Sequence, residues 1–142
     1  MKTFAVLAPL AAVLFLAGPV AAAERKPMPD TAREYIIWPA DGQVIPGGKF
    51  WIRMGLTDGG VAPAGVDKKY TGHHHLLIDT DLPPLDEPIP SDKNHVHFGR
   101  GQTEARIELP PGTHTLQLLF GDADHVPHQP PLYSKKITVI VR

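Results

Sequence analysis

The sequence predicts an all-β fold, an immunoglobulin-like antiparallel β-sandwich of about seven strands, and three observations predict it. Apolar and polar residues alternate with a period of two in several short runs. The 16 prolines and 13 glycines punctuate those runs at short intervals. No stretch beyond the first two dozen residues carries a helical repeat. A small closed barrel is the competing architecture.

The chain starts with a segment outside that fold. Lys2 supplies a positive charge, Phe4 to Val20 is almost wholly apolar, and Ala21-Ala22-Ala23 offers a small-residue cleavage site before Glu24. This is the layout of a secretory signal peptide over residues 1–23. A membrane anchor fits less well, because Pro9 and Pro19 interrupt the run and no basic flank follows it. Residues 24–33, polar with two prolines, are expected to be a flexible lead-in, and residues 34–142 one domain.

Tyr35-Ile36-Ile37-Trp38 reads as a short strand stopped by Pro39, with Val44-Ile45 as its continuation after a turn. Lys49 to Leu56 is clearer: Phe50, Ile52, Met54 and Leu56 alternate with Trp51, Arg53 and Gly55, marking one buried face. Thr57 to Gly72 reads as a long loop, followed by a strand from His73 to Asp79. Residues 82–91 hold Pro83, Pro84, Pro88 and Pro90, too many missing amide donors for a helix or an inner strand. Asn94 to Phe98 is short and extended. Thr103 to Leu109 points Ala105, Ile107 and Leu109 inward. Thr113 to Phe120 places His114, Leu116, Leu118 and Phe120 on one face, and Lys135 to Val141 closes the domain with Ile137, Val139 and Val141 together.

Composition narrows the chemistry. With no cysteine there is no disulfide, no thiol nucleophile and no thiolate metal ligand. The net charge of −1, without a basic stripe, argues against nucleic acid and anionic membranes as partners. Ser91 and Ser134 have no nucleophile-elbow context. Gly99-Arg100-Gly101-Gln102 is a hairpin turn rather than a phosphate cradle, since no helix follows it. Trp38 and Trp51 are expected as core or edge cover rather than a sugar platform.

The eight histidines all lie between positions 73 and 128. On extended backbone His73 and His75 share a face, as do His95 and His97, so each pair sets two imidazoles side by side. Two such pairs on neighbouring strands would offer four ligands to one ion. His125 and His128 sit in a loop able to close over them, with Asp79, Asp122 and Asp124 as carboxylates that could orient the rings. The expected metal ligands are therefore His73, His75, His95, His97, His125 and His128. Imidazole without thiolate suits copper or zinc, with nickel behind them. His74, on the face of Leu76 and Ile78, is expected to be a hydrogen-bonded core residue, and His114 a structural residue pinning a loop.

Four stretches carry a resemblance: 72–79 with its triple histidine, 95–104 with His-Val-His-Phe-Gly, 111–118 with Pro-Gly-Thr-His-Thr, and His125-Val126-Pro127-His128. Together they resemble a bacterial exported family known as domain of unknown function 4399, over roughly residues 35–141. Residues 60–65 and the proline-rich 82–90 fit as well, whereas Arg100 stands where a glycine is expected. The resemblance implies an exported β-rich domain and supplies no activity.

The functional expectation is a periplasmic or secreted module that holds a divalent transition metal. Two alternatives stand beside it. One is a metal-dependent enzyme, with Asp79, Asp92 or Glu104 as base. The other is an envelope interaction domain whose histidines are purely architectural. If imidazoles hold the ion, a metal-dependent rise in melting temperature should weaken below about pH 6.

Overall fold

Alternating sequences become strands, and the computed structural model of residues 24–142 contains nine of them and no helix among the described residues. The expected signal peptide, residues 1–23, lies outside the described residues. The strands are β1 (Arg33–Trp38), β2 (Gln43–Ile45), β3 (Lys49–Thr57), β4 (Gly60–Val61), β5 (Thr71–Ile78), β6 (His95–His97), β7 (Glu104–Glu108), β8 (Gly112–Gly121) and β9 (Ile137–Val141). All but β4 lie where the alternation places them. Two residues of Gly-Val carry no periodicity, so β4 is hidden inside the expected loop.

The strands form two sheets. The smaller has the order β1-β3-β7, and the larger runs β2-β9-β8-β5-β4, with β6 also paired to β5. β4 and β6 share one edge of β5: β4 runs parallel at its start, and β6 runs antiparallel with His75 opposite His97. On the other edge β8 is antiparallel, with His73 opposite Gly121 and His75 opposite Leu119.

One apolar core lies between the sheets. Phe50, Ile52 and Met54 of β3 and Ile107 of β7 meet Leu76 of β5, Leu116 and Leu118 of β8, and Val139 and Val141 of β9. Fully burying side chains of this size contributes about 1.5–3 kcal/mol each, which is why the sheets hold without disulfides. Trp38 and Trp51 stay outside this core, 36% and 47% exposed, with Trp38 edge-on to Phe50.

The centre of the larger sheet, β5 and the second half of β8, is buried on both faces, and that places the histidines. Leu76 and Ile78 look into the core, while Leu77 and Leu119 look outward beneath Ile89, Leu82 and Leu85 of the proline-rich segment. The segment is therefore a roof. By the same alternation His74 takes the inner face of β5, and His73 and His75 take the outer face, under the loops.

The flexible lead-in is corrected. Met28 and Ala32 are buried against Phe120 and Leu132, and residues 26–28 run beside Gln129 through backbone hydrogen bonds. Apolar Met28 and Ala32, spaced among charges, give the segment something to bury; its prolines do not prevent docking.

Candidate metal centre

Strand geometry builds the site from three elements. β5 contributes His73 and His75, and β6 brings His97 across from His75. The loop after β8 contributes His125, which adopts a left-handed backbone (φ 68°). Asp122 Oδ1 shapes that loop by accepting from the Asp124 and Val126 amides at 2.8 and 3.0 Å, an Asx-type turn.

The four rings converge. Measured between ring centroids, His73 lies 4.7 Å from His75, 4.9 Å from His97 and 5.0 Å from His125. His97 lies 4.7 Å from His125 and 5.1 Å from His75, and the widest spacing, His75 to His125, is 5.9 Å. His73 and His97 approach with their Nε2 atoms 3.1 Å apart. Ligand nitrogens of His73, His97 and His125 all fall within 4.8 Å of one another. Metal–imidazole bonds of about 2.0–2.1 Å in tetrahedral array put two nitrogens about 3.3 Å apart, so the His73–His97 spacing already fits a shared ion.

Two of the rings are buried and short of partners. His73 and His75 are 0% and 1% exposed. Among the described residues, His73 Nδ1 and both ring nitrogens of His75 have no hydrogen-bond partner. An unsatisfied buried polar atom costs about 1–3 kcal/mol, so these nitrogens want a guest or water. Burial, followed by repulsion from the neighbouring rings, holds the His73 imidazole down to about 4 and His75 to about 2. His97 is lowered too, by burial and then by His125. His73, His75 and His97 are thus held toward the neutral form, the state in which imidazole binds metal.

Glycines make the room. A methyl group on Gly99 would overlap the His97 ring, and one on Gly121 would lie 2.8 Å from His75 Cε1 and 3.3 Å from the His125 Cα. Sequence reasoning missed both. A glycine ending the strand pattern after Phe120 was the available signal for close approach.

The remaining histidines go elsewhere. His95, expected as a ligand, turns its Nδ1 to Asp92 Oδ1 at 2.8 Å, because Asp92 also caps the Asn94 and His95 amides. His128, also expected as a ligand, bonds through Nε2 to the Thr71 carbonyl at 3.1 Å and stacks on Phe120. His114 donates to Asp79 Oδ2 at 2.7 Å and meets the Pro110 carbonyl at 2.9 Å, pinning the turn that enters β8. The carboxylates expected to orient the rings are engaged elsewhere: Asp79 holds His114 and the Thr115 amide, Asp122 its own loop, and Asp124 the Lys26 ammonium.

His74 is the core residue expected, but its partner was not foreseen. Glu34 of β1 is 4% exposed, and its Oε1 lies 2.6 Å from His74 Nδ1. Burial pushes the Glu34 carboxyl well up and holds His74 down to about 4, so burial disfavours the charged form of both partners of this hydrogen bond. Glu34→Gln keeps a group that can donate or accept and keeps the volume, and urea denaturation should register a loss below about 1 kcal/mol. Glu34→Ala leaves both a cavity and an unpaired ring nitrogen, and should cost about 2–4 kcal/mol. Equal losses for the two variants would show that the hydrogen bond is immaterial.

An all-β frame with four imidazoles gathered on the outer face of its larger sheet defines a histidine-cluster protein. Residues 52–142 match the family described as Domain of unknown function (DUF4399), and the chain belongs to that family. No curated protein and no solved structure matches the chain. The family match takes in every histidine of the cluster, while Glu34 and the docked segment before it precede the matched residues.

Proposed function

We propose that the protein is an exported, periplasmic or secreted, binding module that holds one copper or zinc ion through His73, His97 and His125, with the His75 ring packed beside them. The observation carrying this reading is the convergence of four imidazoles, two of them buried with ring nitrogens that no described residue partners, and with the Nε2 atoms of His73 and His97 at 3.1 Å. The signal-peptide pattern supports export. An immunoglobulin-like arrangement of the two sheets is supported by their order, with the first, third and seventh strands in one layer and the rest in the other.

A holding role suits the surroundings better than catalysis. The carboxylates considered as a base are committed elsewhere: Asp79 to His114, Asp92 to His95 and Glu104 to Arg53. Zinc or copper titration by calorimetry tests the reading, with binding expected in the protein and lost in His73→Ala. Absence of heat and of any melting shift with either ion would end it.

The proton competition expected from free imidazole moves to lower pH. With His97 lowered and His73 held at about 4, the metal-dependent rise in melting temperature should persist to lower pH than free imidazole would allow and disappear as His73 protonates near pH 4. For the ion-free protein the sign follows from linkage. His73, His74 and His75 have folded values below the ordinary 6.5, so the unfolded chain binds more protons across that interval. Their contribution is present above about pH 6.5 and lost as pH falls toward 4, by up to about 1.4 kcal/mol per unit for each ring. Urea midpoints should drop along that interval; a flat profile would mean that the rings are solvated.

A further inference from the structure

His73, His75 and His97 are fixed by paired strands, but His125 depends on its loop. Neighbouring segments grip that loop. Ile89 N–H donates to the His125 carbonyl at 2.8 Å, and Gly65 N–H donates to the Ala123 carbonyl at 2.9 Å. A further grip comes from the segment preceding β1. Arg25 Nε donates to the Pro127 carbonyl at 3.1 Å, and its Nη2 donates to the His128 carbonyl. Lys26 Nζ sits 3.0 Å from Asp67, 3.3 Å from Asp124 and 3.8 Å from Asp122, whose side chain is almost fully buried. Met28 N–H donates to the Gln129 carbonyl at 3.1 Å, and Gln129 N–H donates to the Lys26 carbonyl at 2.9 Å.

We propose that this strap, Arg25–Met28, positions His125 for the ion, and that Lys26 is the residue through which it does so. The proposal rests on the metal-binding reading above. Asp122 links strap and loop: one carboxylate oxygen organises the turn that presents His125, and the other faces the Lys26 ammonium. Lys26 also joins Asp67, in the loop before β5, to Asp124, in the His125 loop. Removing the cation leaves three carboxylates without their shared counter-charge and frees the turn to shift. A ligand on a loosened loop must be ordered at the moment of binding, which lowers affinity without removing a ligand.

Cobalt(II) serves as the probe, since its visible absorption reports both binding and coordination. Lys26→Met keeps the aliphatic stem and should weaken cobalt affinity about 3- to 10-fold, below the range for groups bonded directly to a ligand ring because Lys26 acts through the Asp122 turn. Lys26→Arg should restore it. In a His125→Ala background the Lys26→Met change should alter affinity less than about twofold, because its effect runs through the missing ring. Amide exchange at His125 and Val126 in the ion-free protein should quicken in Lys26→Met, while exchange in β5 and β8 stays as it was. Wild-type affinity in Lys26→Met, or an equal loss in the His125→Ala background, would overturn the strap's role while leaving the metal reading intact. Failure of the wild-type protein to bind cobalt and zinc alike would overturn both; should zinc bind where cobalt does not, competition against a zinc indicator reads the same Lys26 comparison.

Discussion

His73→Ala is expected to abolish the stabilisation that zinc or copper gives the protein. At free ion 100-fold above the dissociation constant, binding contributes about 2.7 kcal/mol to the folded state. For a domain of this length that is a rise of roughly 8–12 °C in melting temperature. In His73→Ala the rise should fall to background, because His73 touches the rings of His75, His97 and His125 and lies nearest the centre of the cluster. The ion-free variant should stay within about 1–2 kcal/mol of wild type. The cavity left by the ring is offset by relief of an unpartnered Nδ1 in a desolvated position. His95→Ala is the control, since that ring faces Asp92, and its metal response should be unchanged. Scanning calorimetry with and without ion reads both variants. A response retained in His73→Ala would remove His73 from the site.

Gly72→Ala is expected to give the largest loss of stability. Gly72 lies in β5 where it crosses the end of β8, and a methyl group there would overlap the Gly121 carbonyl. It would also lie 2.8 Å from Phe120 Cε1 and 3.0 Å from His128 Cε1. Backbone on one side and two buried rings on the others leave no direction for relief. The change should cost about 3 kcal/mol or more, at the upper end of what overpacking produces. It should also reduce metal affinity, because β5 and the loop after β8 must separate to admit the methyl group. Urea denaturation measures the first effect; a loss under about 1 kcal/mol would mean that these strands are less tightly apposed than described.

Strands were legible because each buries one face, and the hydrophobic effect writes that face into the sequence at a period of two. Lys49 to Leu56 and Thr103 to Leu109 are the clearest cases. The same rule put His73 and His75 on one side of β5 and His74 on the other. What the rule does not carry is the direction a ring takes at the end of a short strand. His95 shares a face with His97, yet Asp92, three residues back, captures its Nδ1 and its amide in one turn. In the irregular loop, periodicity says nothing about whether His125 or His128 reaches the cluster. That choice is made by the Asp122 turn and by the Thr71 carbonyl, a partner remote in sequence. Glu34 was hidden for another reason: the strand reading began at Tyr35, and a carboxylate beside Arg33 looks solvated. With β1 starting at Arg33, Glu34 falls on the same inward face as Ile36, where only a residue such as His74 can satisfy it.

The central claim is that rings brought together from β5, β6 and the loop after β8 share one ion. Elemental analysis after reconstitution with zinc or copper and exhaustive dialysis addresses it most directly. The expected result is about one ion per chain in the wild-type protein and none in a variant lacking both His73 and His97. Metal at background in the wild-type protein, or equal loading in that variant, would contradict it.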